Sequence, residues 1–266
     1  MQAKKSLGQH FLHAPHVIEK IVQAASIIER DTVLEVGPGK GVLTQALLAR
    51  AGTVLAIEKD EHLAALLERE YVDAIKSGRL RLVAGDILGA DLDTHGLKSG
   101  NFKIVANIPY YITGLIFRKL LGGTTLPNTA VFLVQKEVAG RIARDKKESL
   151  LSLSIKAYGT PKYVATVPRN CFSPQPGVDS AILQVTAISR ENFKHIDESF
   201  FFELLHLGFG KRRKMLLGNL SACFPREQLA AIFEQLTIPQ TIRAEDLSLS
   251  SWIKLTGALA RIERHT

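Results

Sequence analysis

Apolar and polar residues follow two rhythms along this chain. Near the start, Ile18, Ile21, Val22 and Ala25 fall at helical spacing, which predicts a helix with one buried face. Short apolar runs follow at Thr32–Val36 (TVLEV), Thr53–Ile57 (TVLAI), Leu80–Ala84 (LRLVA), Phe102–Ala106 (FKIVA) and Ala130–Val134 (AVFLV), and these predict strands. A helix is expected after the first run, turning Leu43, Leu47 and Leu48 inward. Another is expected after the second, capped by Asp60 and burying Leu63, Leu66 and Leu67. Strands alternating with helices point to βαβ units and a parallel sheet covered on both faces. Lys162–Val167 and Ser180–Thr186 are β-rich without a long helix between them, which predicts an antiparallel pair. The pattern changes near Ser189–Lys194. Beyond it, helices are expected at Glu198–Leu207, Arg212–Ala222, Arg226–Leu236 and Ser251–Ile262, with breaks at Pro225 and Pro239. The fold class is therefore α/β, with a Rossmann-like domain over residues 1–189 and a small all-helical domain over residues 190–266.

Composition narrows the class. Of 266 residues, 46% are hydrophobic, enough for a sizeable core in a chain of this length. No apolar run approaches the roughly 18 residues of a membrane span, and the opening Met-Gln-Ala-Lys-Lys-Ser leads into a polar segment, so no secretory signal is expected. Cys171 and Cys223 stand alone, outside any Cys/His cluster, which argues against a metal site and fits a reducing cytoplasm. The net charge of +8 draws the chain toward polyanions. The densest basic run, Lys211-Arg212-Arg213-Lys214, is expected at a helix start and is the leading candidate for contact with a polyanion such as nucleic acid. Lys4, Lys5, Arg141, Arg144, Lys146 and Lys147 could add phosphate contacts. No heptad or exposed apolar stripe stands out, so a monomer is expected.

Candidate chemistry gathers at the ends of the predicted strands. Gly37-Pro38-Gly39-Lys40-Gly41 joins the first strand to its helix, where glycines allow a sharp turn and close approach to a ligand. This GxGxG serves dinucleotide enzymes and methyltransferases alike. Glu58 ends the second strand and can accept from both hydroxyls of a ribose, in NAD as in other nucleosides. Gly85-Asp86 ends the third, where the carboxylate can accept from an adenine amine. Open α/β sheets bind ligands at the carboxyl ends of their strands, and all three features fall on that edge. After the fourth strand comes Asn107-Ile108-Pro109-Tyr110. The lone pair of an exocyclic amine on a purine is delocalised into the ring and is a poor nucleophile. An Asn oxygen and a carbonyl beside a rigid proline can accept both N–H groups and draw the nitrogen toward tetrahedral geometry. Tyr110 can stack on the base. Phe172 fits either a second stacking face or a core position.

These motifs occur in order within a longer set: Ser6–Leu12 (SLGQHFL), Leu34–Thr44 (LEVGPGKGVLT), Ile57–Asp60 (IEKD), Gly85-Asp86, Asn107–Tyr111 (NIPYY), Gln135–Val138 (QKEV), Phe172–Ser180 (FSPQPGVDS) and Gly208–Leu217 (GFGKRRKMLL). In this the chain resembles the KsgA-type ribosomal RNA adenine dimethyltransferases along almost its whole length. The resemblance implies a Rossmann-like methyltransferase sheet followed by a small helical domain, with S-adenosylmethionine as methyl donor. The implied substrate is a pair of adjacent adenosines near the 3′ end of 16S ribosomal RNA, within the small subunit or its precursor. Cofactor contacts would fall on His10, Leu12, Gly37, Gly39, Glu58, Asp86 and Asn107. Two residues depart from the family pattern: His10 stands where Asn is usual, and Gly177 where Lys is usual. The rival readings are a nicotinamide oxidoreductase, a sister dimethyltransferase acting on large-subunit RNA, and a binding factor that kept the fold and lost the chemistry. Asn107–Tyr110 has no evident role in hydride transfer, and Gly208–Leu217 favours the small subunit.

Overall fold

The structure is a computed structural model and describes residues 8–109 and 112–262. The chain forms two compact units, one running to Gly140 and resuming over Thr160–Ile188, the other made of Arg141–Gly159 and the residues from Ser189 onward.

The first unit opens with a two-residue strand, β1 (Phe11–Leu12), and helix α1 (Pro15–Ala24). Then come β2 (Thr32–Val36), α2 (Val42–Leu48), β3 (Thr53–Glu58), α3 (Glu61–Glu70), α4 (Val72–Lys76), β4 (Leu80–Ala84), β5 (Phe102–Asn107), α5 (Thr113–Leu121), β6 (Thr129–Gln135) and α6 (Lys136–Ala143). After α7 (Leu150–Lys156), which belongs to the second unit, follow β7 (Thr160–Val167), β8 (Phe172–Ser173) and β9 (Ser180–Thr186).

Seven strands form one sheet in the order β4-β3-β2-β5-β6-β9-β7. β4 to β6 are parallel, while β9 runs antiparallel to both β6 and β7, the pair expected from the sequence. The chain leaves β2 toward β3 on one side, and β5 returns on the other. β2 and β5 therefore flank the topological switch point, where open sheets leave a crevice at the strands' carboxyl ends.

Alternation along the strands sets the two faces. Val33, Val54, Ala56, Val105, Val131 and Ile182 pack against Val17, Ile18, Ile21 and Val22 of α1 and Leu43, Leu47 and Leu48 of α2. Phe132 points the other way and meets Phe117 of α5 edge-on, ring centroids 4.6 Å apart. Leu63 and Leu67 of α3 are buried, but Leu66 is 38% exposed. It lies about 100° round the helix from Leu67, off the buried stripe, so the expectation that it is buried fails. A two-stranded ribbon completes the unit. β1 pairs antiparallel with β8, Leu12 opposite Phe172, and the His13 N–H donates to the Cys171 carbonyl at 3.1 Å.

In the second unit, α7 begins at a reciprocal capping box in which Ser149 and Ser152 bond each other's backbone N–H. It is followed by α8 (Glu198–Phe209), α9 (Leu216–Leu220), α10 (Arg226–Gln235) and α11 (Leu249–Leu259). The segment Arg141–Gly159, placed by the sequence reading in the first domain, joins these helices through specific contacts. Tyr158 donates to Glu198 at 2.6 Å and packs on Phe193 and Phe202, and the Glu148 N–H reaches the Glu245 carbonyl at 2.7 Å. Gly208 lets α8 and α11 approach, since a Cβ there would lie 2.4 Å from Trp252. A helix over Arg212–Ala222 is not formed. Lys211–Lys214 is an exposed turn and α9 begins only at Leu216. The Asn219 amide holds that turn open by donating to the Gly208 and Lys211 carbonyls at 2.5 and 3.2 Å, and the Leu216 N–H is taken by Ile242.

Candidate active site

The strand ends of the first unit open into a cleft. Its walls come from the glycine loop, Ile57 and Glu58 at the end of β3, Gly85–Ile87 after β4, Asn107 at the end of β5 with Ile108 and Pro109 beyond it, and Gly8–Leu12. His10, Leu12, Gly37, Gly39, Glu58, Asp86, Asn107 and Pro109 all line it. Phe172 does not; its side chain is buried among the core residues, and its backbone supports Leu12 across the β1–β8 ribbon. Tyr110, Lys4 and Lys5 lie outside the described residues. Arg212, Arg213 and Lys214 lie on the exposed turn of the second unit.

The glycine loop needs its glycines for steric reasons. Gly41 has φ +80°, and a Cβ there would lie 2.8 Å from both Leu67 and Tyr71. The Tyr71 hydroxyl donates to the Gly41 carbonyl at 2.8 Å, fixing the start of α2. Gly39 has φ +63° and sits beneath the Phe11 ring, over which the Lys40 ammonium is placed 4.9 Å from the centroid.

Glu58 is 6% exposed. One carboxyl oxygen accepts from the Gly39 N–H at 3.0 Å and the other from the Asp60 N–H at 2.8 Å. Burial still outweighs these bonds and raises its pKa above the ordinary carboxylate value. The Lys59 backbone N–H also favours the charged form, and a carboxylate with three backbone donors still has room for another. Asp86 is shifted the opposite way. A hydrogen bond from Lys59, 2.7 Å away, and the Leu88 N–H hold its carboxyl low against a smaller effect of desolvation. Asp60 is the N-cap of α3 and also accepts from Gln9 Nε2 at 3.0 Å, which ties the N-terminal segment to the site.

The Asn107 Nδ2 donates to the His10 carbonyl at 3.2 Å, and the Pro109 carbonyl accepts from the Ile112 N–H at 3.2 Å while retaining one lone pair. Behind the loop, Glu35 is 1% exposed between Ala56 and Val105 on the neighbouring strands. Burial pushes its pKa to about 8, opposed by the nearby Thr44 hydroxyl and reinforced by the charge of Glu58. The Thr44 hydroxyl favours the charge from close by, yet neither side chain makes a hydrogen bond of ordinary geometry.

Sequence reasoning missed Gln9, Lys40, Lys59 and the apolar wall of Val42, Ile87, Ile112 and Ile116. Lys59 and Ile87 adjoin motif residues and could have been found by proximity. Gln9 and Tyr71 act through contacts distant in sequence, for which the sequence carries no local signal.

The chain matches the family described as ribosomal RNA adenine dimethylase over residues 1–261. It is 39% identical over 260 residues to ribosomal RNA small subunit methyltransferase A of Dehalococcoides mccartyi, covering 95% of this chain and 87% of that protein. It is 38% identical to the protein of the same name from Synechocystis, covering 96% of each. Among solved structures, a dimethyladenosine transferase from Plasmodium falciparum superposes with a TM-score of 0.79 at 26% identity, covering 95% and 98% of the two chains. The 23S rRNA methyltransferase ErmE superposes with a TM-score of 0.72 at 26% identity, covering 94% and 100%.

Proposed function

The chain belongs to the ribosomal RNA adenine dimethylase family, and we propose that it transfers methyl groups from S-adenosylmethionine to N6 of two adjacent adenosines near the 3′ end of 16S ribosomal RNA, two methyls to each. The observation that carries this reading is the convergence of a glycine loop, two acidic side chains and Asn107-Ile108-Pro109 on one cleft. The relatives named for the small subunit favour that substrate over large-subunit RNA.

The residues present fit the cofactor. Gly39 leaves room for close approach, the Glu58 carboxylate at the end of its strand suits a ribose hydroxyl, and Asp86 can accept from an adenine amine beside Ile87. When bound, S-adenosylmethionine supplies an electrophilic methyl on a sulfonium. The protein's part is then positioning and acceptor placement. In this reading Asn107 Oδ1 and the remaining lone pair of the Pro109 carbonyl accept the two N–H groups of the target amine. That directs the nitrogen lone pair out of the ring plane. Tyr110 stacks on the flipped base. Phe172 supports the cleft wall from the core. The nitrogen that has gained the methyl then loses a proton to water. Arg212, Arg213 and Lys214 contact RNA phosphates without reading sequence. We propose a cytoplasmic reaction because the substrate in this reading is ribosomal RNA. Among the described residues no helix is long and apolar enough to cross a membrane.

The test is methyl transfer from labelled cofactor to unmethylated small subunits, with large-subunit RNA in parallel and the product nucleoside identified. N6,N6-dimethyladenosine in small-subunit RNA alone, formed at a sharply reduced but measurable rate with Asn107→Ala, is the expected result. Transfer to large-subunit RNA alone would overturn the substrate assignment.

A further inference from the structure

A side-chain amide can present either its oxygen or its nitrogen to a cleft, and the two ends differ in chemistry. At Asn107 the choice is made by the N-terminal segment. The His10 carbonyl can only accept, so the amide end facing it, 3.2 Å away, must be Nδ2. That turns Oδ1 away from His10. The same residue is anchored at its side chain, because the Pro174 carbonyl also can only accept, and the His10 Nδ1–H donates to it at 2.7 Å. Pro174 follows β8, whose pairing with β1 brings Phe11 opposite Ser173 and Leu12 opposite Phe172. His10 is thus held on one side by the β8 segment and holds Asn107 on the other.

We propose that His10 is a positioning residue for the methyl transfer, its ring locking the N-terminal segment to the Pro174 carbonyl so that its own main-chain carbonyl sets the Asn107 amide with Oδ1 toward the substrate amine. This rests on the reading of Asn107 as an acceptor for that amine. It assigns His10 a role through Asn107 rather than by contact with the cofactor. It also specifies what can replace the ring. Nδ1 of His and Nδ2 of Asn are each one bond beyond Cγ, so Asn can donate from the same place, whereas Phe keeps the ring and loses the donor.

The experiment measures kcat and KM for cofactor and RNA in the full chain carrying His10→Phe, His10→Asn, Asn107→Ala and the double variant His10→Phe/Asn107→Ala, with thermal melting as a check on folding. His10→Phe is expected to lower kcat roughly tenfold with KM for the cofactor little changed. His10→Asn should recover most of that loss. In the Asn107→Ala background His10→Phe should have no further effect, because the group it positions is gone. If His10→Phe melts early, His10→Gln, which moves the donor one bond outward, is expected to give an intermediate kcat. A raised cofactor KM with intact kcat would assign His10 to cofactor contact and overturn the proposal. So would losses that multiply in the double variant, or failure of His10→Asn to recover turnover. Full kcat in Asn107→Ala alone would instead remove the acceptor reading itself, and with it the role assigned to His10.

Discussion

The substitution Glu35→Gln keeps the volume of a buried carboxyl and removes its ionisation. In the folded chain the carboxyl titrates at about 8, against an ordinary value of 4.5. Between those two values the folded protein retains a proton that the unfolded chain has released, so stability falls as pH rises through the window. Linkage from these two values gives a penalty of about 1 kcal/mol at pH 5.5, about 4 kcal/mol at pH 7.5, and roughly 5 kcal/mol as it levels off above pH 8. Glutamine carries no such term. Its own unsatisfied amide costs a constant amount at every pH. The difference in unfolding free energy, variant minus wild type, should therefore climb by about 2–3 kcal/mol between pH 5.5 and 7.5, whatever its starting value. Urea unfolding of both proteins across this range, followed by far-UV circular dichroism, measures it. Parallel stability curves for the two proteins would refute the reasoning, because they would mean that Glu35 takes up no extra proton on folding.

Glu58→Gln should weaken cofactor binding roughly tenfold to a hundredfold, because an amide nitrogen must then face the Gly39 or the Asp60 N–H at a cost of about 1.5–3 kcal/mol; an unchanged Kd by calorimetry would remove Glu58 from the cofactor site. Gly41→Ala combines about 1–2 kcal/mol of left-handed backbone strain with about 1–3 kcal/mol of overpacking against Leu67 and Tyr71, and a melting temperature equal to wild type would contradict it. Arg212→Gln with Arg213→Gln should flatten the dependence of log RNA affinity on log salt by about one unit per lost phosphate contact while leaving cofactor affinity alone. A slope identical to wild type would show that the exposed turn does not touch phosphate.

Much of the fold was legible because its signals are local. Each parallel strand is a short apolar run followed by a turn residue, and the motifs sit directly on those ends. Gly37, Glu58, Asp86 and Asn107 could therefore be placed on one edge before any contact was known. What could not be read depends on partners far along the chain. β1 and β8 are two residues each, too short to show a period, and exist because they pair with one another. The helix expected over Arg212–Ala222 stops short because Asn219 supplies donors that favour the open turn, and Ile242 takes the Leu216 N–H. Phe172 reads equally well as a stacking ring or a core ring. Its position opposite Leu12 puts the ring in the core and leaves only its backbone to act on the cleft.

The two acidic strand ends show why position alone does not define a role. Glu58 and Asp86 end adjacent parallel strands, on β3 and just beyond β4, and look equivalent in sequence. Lys59 already balances the charge of Asp86, and its carboxyl is held low. Glu58 has only backbone N–H partners and is held high by burial. Burial disfavours its charged form despite those donors. A ligand presenting two hydroxyls supplies what burial withholds, and its binding stabilises the carboxylate as well as the complex. A ligand presenting an amine to Asp86 gains less, because Lys59 and the Leu88 N–H already bond that carboxylate. On this argument discrimination for a ribose rests chiefly on Glu58, and Asp86 contributes orientation more than affinity.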